Sequence, residues 1–159
     1  MSLKTKVYVC KFIPHDSNFS TSIKSHWGLL VAGQLFHINV DDNNNVIYKS
    51  KEFKFYSLEY TYTFIYIGKT KFSLEIIDDT ARDIANKFVY NIKTSNCQNF
   101  IYELSKLIVP KFKFPLKASD LFDGYINCTT AMGSKSSIFS VNLTEEEIKN
   151  ERDAYIVKK

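Results

Sequence analysis

Several features that would narrow the function of this 159-residue chain at once are missing from it. No apolar run is long enough to cross a bilayer: the longest mostly apolar stretch surrounds Phe64–Ile67, and a spanning helix needs about 20 residues. Met1–Lys6 leads into a short alternating run rather than a continuous apolar segment, so no secretory signal is visible. The three cysteines, Cys10, Cys97 and Cys128, are odd in number and lack scaffold spacing, which suits a reducing compartment. The expectation is a cytoplasmic protein, or one delivered into a host cell. The sequons at Asn18, Asn127 and Asn142 then carry no weight. Lysines are spread along the chain with no block of five or six like charges, so the net charge of +4 reads as solvated surface, not a nucleic-acid footprint. No Cys-x-x-Cys or His-x-x-x-His pair is present, so neither a metal nor a cofactor is expected. With no internal repeat and no linker, residues 1–159 read as one domain. Its core covers about 1–110, with a C-terminal extension over 111–159 packed on it.

What is present in abundance is aromatic: ten Tyr and thirteen Phe, many in stretches that alternate like strands. Lys6–Ile13 places Val7, Val9 and Lys11 on one face and Tyr8, Cys10 and Phe12 on the other. His26–Val40 reads as a hairpin about Ala32-Gly33, and Val46–Tyr48, Phe53–Leu58 and Tyr60–Ile67 read as further strands, with a break at Gly68-Lys69-Thr70. Ser73 caps a helix whose buried stripe is Ile77, Ala81, Ile84 and Phe88 and which ends near Tyr90-Asn91. Lys111–Lys117 alternates like an edge strand, and Asp120–Cys128 and Ser137–Val141 read as short strands or loops. Thr144-Glu145-Glu146-Glu147 is a capping box for a final helix through Val157. Strands, two helices and a mixed tail predict an α+β fold with an antiparallel sheet packed on helices.

Thr94-Ser95-Asn96 runs into a second helix whose apolar positions are Phe100, Ile101, Leu104, Leu107 and Ile108, stopped by Pro110. Cys97 sits in its first turn, where unpaired backbone N–H groups and the helix dipole favour a thiolate. Residues 97, 101, 104 and 108 form one stripe, so the thiol faces the protein body. Cys97 is thus either a nucleophile or a small buried hydrophobe.

A nucleophilic thiol needs a base, and the hairpin offers one. With Ala32-Gly33 as the turn, Val31 pairs Gln34, His26 lies opposite Asn39, and Gly28 lies opposite His37 with room beside it. His26, His37 and Asn39 then share one face, while Trp27, Leu29, Phe36 and Ile38 share the other. A one-residue slip would mix polar and apolar residues on both faces, and burial resists that. His26 is the candidate base, and either His37 or Asn39 its orienting partner. His15 lies in a loop and takes no role.

His26-Trp27-Gly28-Leu29-Leu30-Val31, His37 eleven residues on, and Asn96-Cys97-Gln98-Asn99-Phe100 resemble the H-box and NC-box of the permuted papain-like hydrolases. These are the lecithin:retinol acyltransferase-like, PPPDE-like and viral H-box/NC proteins, within the NlpC-type superfamily. The resemblance implies a circularly permuted papain-like core, with Cys97 as nucleophile, His26 as base and His37 as third polar residue. Asn99 stands where many members carry a histidine after the cysteine, and no C-terminal membrane segment matches that of the lipid-acting ones.

The expected chemistry is thiol hydrolysis or acyl transfer through a thioester, the start of the helix stabilising the oxyanion. Asn39, Asn96 and Gln98 are the orienting or oxyanion candidates. The expected substrate is a peptide or isopeptide bond, in a protein partner of ubiquitin-like type among others, with a lipid acyl ester or amide as the alternative. A binding or effector module without turnover on the same fold is the rival from another class.

Overall fold

In the computed structural model, which describes residues 4–14, 26–43, 45–89, 97–110 and 140–158, the hairpin folds in the register its burial pattern demands. Strands β2 (His26–Val31) and β3 (Gln34–Val40) pair Val31 with Gln34, Leu30 with Leu35 and Leu29 with Phe36. Ala32 (φ 47) and Gly33 (φ 74) form the two-residue turn. Positive φ at both positions gives the backbone twist that matches the two strands.

Strand β1 (Thr5–Pro14) lies against β2, and β4 (Val46–Glu52) lies against β3. Strand β5 (Tyr60–Thr70) pairs with the far edge of β1, and the two-residue β6 (Ser140–Val141) pairs with β5. The sheet order is β4-β3-β2-β1-β5-β6, with every pairing antiparallel. Helices α1 (Leu74–Asn86), α2 (Cys97–Ile108) and α3 (Glu145–Lys158) complete an α+β fold. No helix of the described residues is long and apolar enough to cross a membrane.

The caps follow the sequence. Ser73 Oγ accepts from the Ile76 N–H at 3.3 Å and opens α1. The Thr144 capping box is closed in both directions, Glu147 N–H to Thr144 Oγ1 at 3.1 Å and Thr144 N–H to Glu147 Oε1 at 3.2 Å. Three details depart from expectation. Phe53–Leu58 is not a strand: residues 53–56 leave the sheet and 57–59 turn. The Phe53 N–H is held by the Gly33 carbonyl at 2.8 Å, and the Phe53 and Phe55 rings pack on Tyr62 and Phe64. Ring packing, which underlies much of β propensity, is achieved here without ladder pairing. Gly68 does not break β5; the strand runs through it with a shift of register against β1. Its φ of 133 suits glycine, and a Cβ there would meet Val109 Cγ1 at 2.8 Å, so the residue lets the end of α2 approach. Helix α1 stops at Asn86, short of the expected Tyr90. Lys111–Lys117 and Asp120–Cys128 lie outside the described residues.

The sheet has two unlike faces. Val7, Val9, Trp27, Leu29, Val31, Phe36, Ile38 and Ile65 point to one, where they meet Ile77 and Ala81 of α1 and Cys97, Phe100, Ile101 and Leu104 of α2. Each such large side chain contributes about 1.5–3 kcal/mol on burial. Tyr8, Cys10, Leu30, Leu35, Phe53 and Phe64 occupy the second, where the described helix cover is Ile148 of α3. Helix α3 is fastened by polar contacts: Tyr8 Oη donates to Glu151 at 3.0 Å, Arg152 pairs with Glu52 at 2.9 Å, and the Leu74 N–H donates to Tyr155 Oη at 3.0 Å.

Candidate functional site

The strand alternation that buries Trp27 and Leu29 on the first face turns His26 and Gly28 to the second. There His26 Nε2 and His37 Nδ1 approach to 3.1 Å, the rings edge to face with centroids 5.3 Å apart. One ring donates and the other accepts, according to tautomer. His37 is only 4% exposed. Burial, followed by the charges of His26, Lys51 and Lys49, holds its pKa down to about 3, so the ring is neutral at pH 7. Its Nε2 is buried and meets no hydrogen-bond partner among the described residues.

These rings help to wall a cavity of about 370 Å³. Asn39 and Leu35 line it from β3, and Phe12 lines it from β1, stacked edge-on to His26 at 4.6 Å. Phe53, Tyr56, Tyr60 and Tyr62 complete the aromatic wall, while Lys51, Lys54 and Glu59 supply its charged groups. The room expected beside Gly28 is taken up from within: a Cβ on Gly28 would meet Leu35 Cδ1 at 2.6 Å. Cys10, opposite Gly28 in the register, is fully buried in this face, and burial pushes its thiol pKa up.

His26, His37 and Asn39 are thus brought together, as their register implies. Cys97 and Gln98 are not brought to them. Both are buried in the first turn of α2, and Cys97 belongs to the cluster of Trp27, Leu29, Phe36 and Ile38, on the face opposite the histidines. The thiol and the imidazole expected to share a proton are divided by the sheet. The cause is the burial pattern itself: the stripe of Cys97, Ile101, Leu104 and Ile108 needs an apolar surface, and the hairpin's apolar surface is the one without histidines. Asn96 lies outside the described residues. No cluster of three or more His, Cys, Asp or Glu able to hold a metal occurs among the described residues.

Sequence reasoning missed the cavity walls contributed by Phe12, Tyr60, Tyr62, Lys51 and Lys54. Phe12 sits on the correct face of β1 in the alternation, yet it is the pairings Phe12–His26 and Phe12–Tyr62 that bring it to the histidines and Tyr62, and the pairing Leu35–Lys51 that adds Lys51. No local pattern carries that information. No protein-family model, curated protein or solved structure matches the chain.

Proposed function

We propose that this chain is a binding module that takes a segment of a peptide or protein partner into the cavity over the histidine pair, without turnover. The observation that carries this reading is the composition of the cavity wall. Two histidines, an amide and five aromatic rings converge on it, and no thiol and no serine or threonine hydroxyl lines it among the described residues. A concave aromatic surface with a few converging polar groups is the usual form of a ligand site. The permuted papain-like plan of the core belongs to the same proposal, supported by the order of the histidine hairpin before the cysteine helix.

A panel of fluorophore-labelled peptides, ubiquitin-like fusions and acylglycerols, presented to the wild type, Cys97→Ala and Tyr60→Ala, tests the reading. Wild type and Cys97→Ala are expected to bind the same peptides with equal affinity. Tyr60→Ala is expected to bind them about tenfold more weakly, as for a central aromatic contact. Turnover that disappears with Cys97→Ala would overturn it.

Thiol hydrolysis or acyl transfer is the second reading, and it too has an observation in its favour. A neutral His37 hydrogen-bonded to His26 at 3.1 Å is the contact an orienting group makes to a base. In this reading the Cys97 proton passes to His26, and the thiolate adds to an acyl carbonyl of a peptide, isopeptide or lipid. The leaving group takes that proton, and water cleaves the thioester. It requires the first turn of α2 to reach the second face of the sheet. The turnover arm of the same panel decides between the two.

A further inference from the structure

We propose that the cavity takes a carboxylate carried on an apolar body, as at the C-terminus of a peptide ending in an aromatic residue. This rests on the binding-module reading and names what is bound. Three independent features point to that chemistry. First, His37 is more than nine-tenths buried, forms part of the cavity wall, and leaves Nε2 without a partner among the described residues. A buried orphan of this kind is costly, and because Nε2 is closed to water, an acceptor recovers the loss when the wall around the ring shifts to admit it. When His26 donates to His37 Nδ1, the proton of the neutral His37 ring lies on Nε2, which then donates to an acceptor.

Second, the charge at the cavity favours an anionic acceptor. Lys51 and Lys54 line it and form no ion pair with a described residue, and Glu59 is the lone carboxylate among the described lining residues. The charges of Lys51 and Lys49 already keep His37 in its neutral form, so the net positive charge beside the ring is carried by the lysines and attracts an anion. Third, the remaining wall is aromatic. Phe12 and Tyr60 meet at 5.6 Å and nearly at right angles, which gives an apolar side chain both a ring face and a ring edge to pack on. The volume, about 370 Å³, falls at the low end of ligand cavities and suits one or two residues, not a folded surface.

The test uses the full chain and four probes: N-acetylphenylalanine, its neutral amide, a pentapeptide ending in phenylalanine with a free carboxylate, and the same peptide amidated. Calorimetry gives the affinities, and the His37 ring resonances report on its protons. Each acid is expected to bind about tenfold or more tightly than its amide, the gain of a charge-assisted hydrogen bond. Acid binding is expected to shift the His37 signals. Lys51→Met and Lys54→Met are each expected to weaken the acids several-fold and leave the amides unchanged. A pentapeptide that outbinds the single residue assigns the carboxylate to a peptide end, and equal binding assigns it to a small free acid. Acid and amide binding alike, both lost in Tyr60→Ala, would overturn the carboxylate and leave the binding module standing. Failure of all four probes to bind would overturn the carboxylate assignment, and binding lost in Cys97→Ala would overturn the module itself.

Discussion

The two faces of one sheet are built to opposite ends. The first is closed: Trp27, Leu29, Phe36 and Ile38 are at most 1% exposed under α1 and α2, and Cys97 is sealed among them. The second is left concave, with His26, Asn39, Phe12, Tyr60 and Tyr62 all half-buried around a cavity. A close-packed face gives stability, while a face whose buried imidazole nitrogen meets no partner among the described residues gives some of it up. Cys97 thus belongs to the packed core of one face, and His26 and His37 to the cavity of the other.

Truncations sharpen this contrast most. Trp27→Ala should cost about 3–5 kcal/mol in denaturant unfolding, since the ring is fully buried and its removal leaves a large void in the core. Ile148→Ala, under the less covered face, should cost about 2–3 kcal/mol. Equal losses at the two positions would break the distinction between the faces.

Acid is the next lever, and on the second face it acts through His37. His37 titrates near 6.5 when unfolded and is held down to about 3 when folded. The unfolded chain therefore binds a proton that the folded one refuses. Stability is full above about pH 6.5 and is lost as pH falls toward 3, by about 1 kcal/mol per unit. His37→Gln should flatten that slope in unfolding curves recorded from pH 7 to 4. An unchanged slope would show that the imidazole is not desolvated. Two smaller effects belong to the first face and its rim. Tyr48→Phe removes a 2.6 Å hydrogen bond to Asp78 and should cost about 1 kcal/mol of unfolding free energy. Lys87→Ala removes an exposed pair with Asp83 and should change stability by under about 0.5 kcal/mol.

Much of this division was legible in the residues. The turn at Ala32-Gly33, the hairpin register, the caps at Ser73 and Thr144 and the histidine face all follow from local pattern. The place of α2 was legible too: a stripe of Cys97, Ile101, Leu104 and Ile108 belongs on the apolar face, and the same register had already given that face to Trp27 and Leu29. The resemblance of the two boxes led the other way, toward a thiol beside His26. The cavity wall was not legible, because Phe12, Tyr60 and Tyr62 meet only through the pairing of β1 with β5, strands separated by more than forty residues. Phe53–Leu58 misled for a related reason: aromatic residues suit a ladder or a ring cluster equally, and the cluster holds them here.

The most direct measurement is the rate at which iodoacetamide alkylates Cys97, followed by peptide mass mapping so that Cys10 and Cys128 do not interfere. A thiol sealed on the first face, with the sheet between it and the imidazole, reacts slowly and at the same rate in the wild type and in His26→Ala. A wild-type rate tenfold or more above that of His26→Ala, near the gain expected of a paired thiolate, would contradict the separation of the two faces.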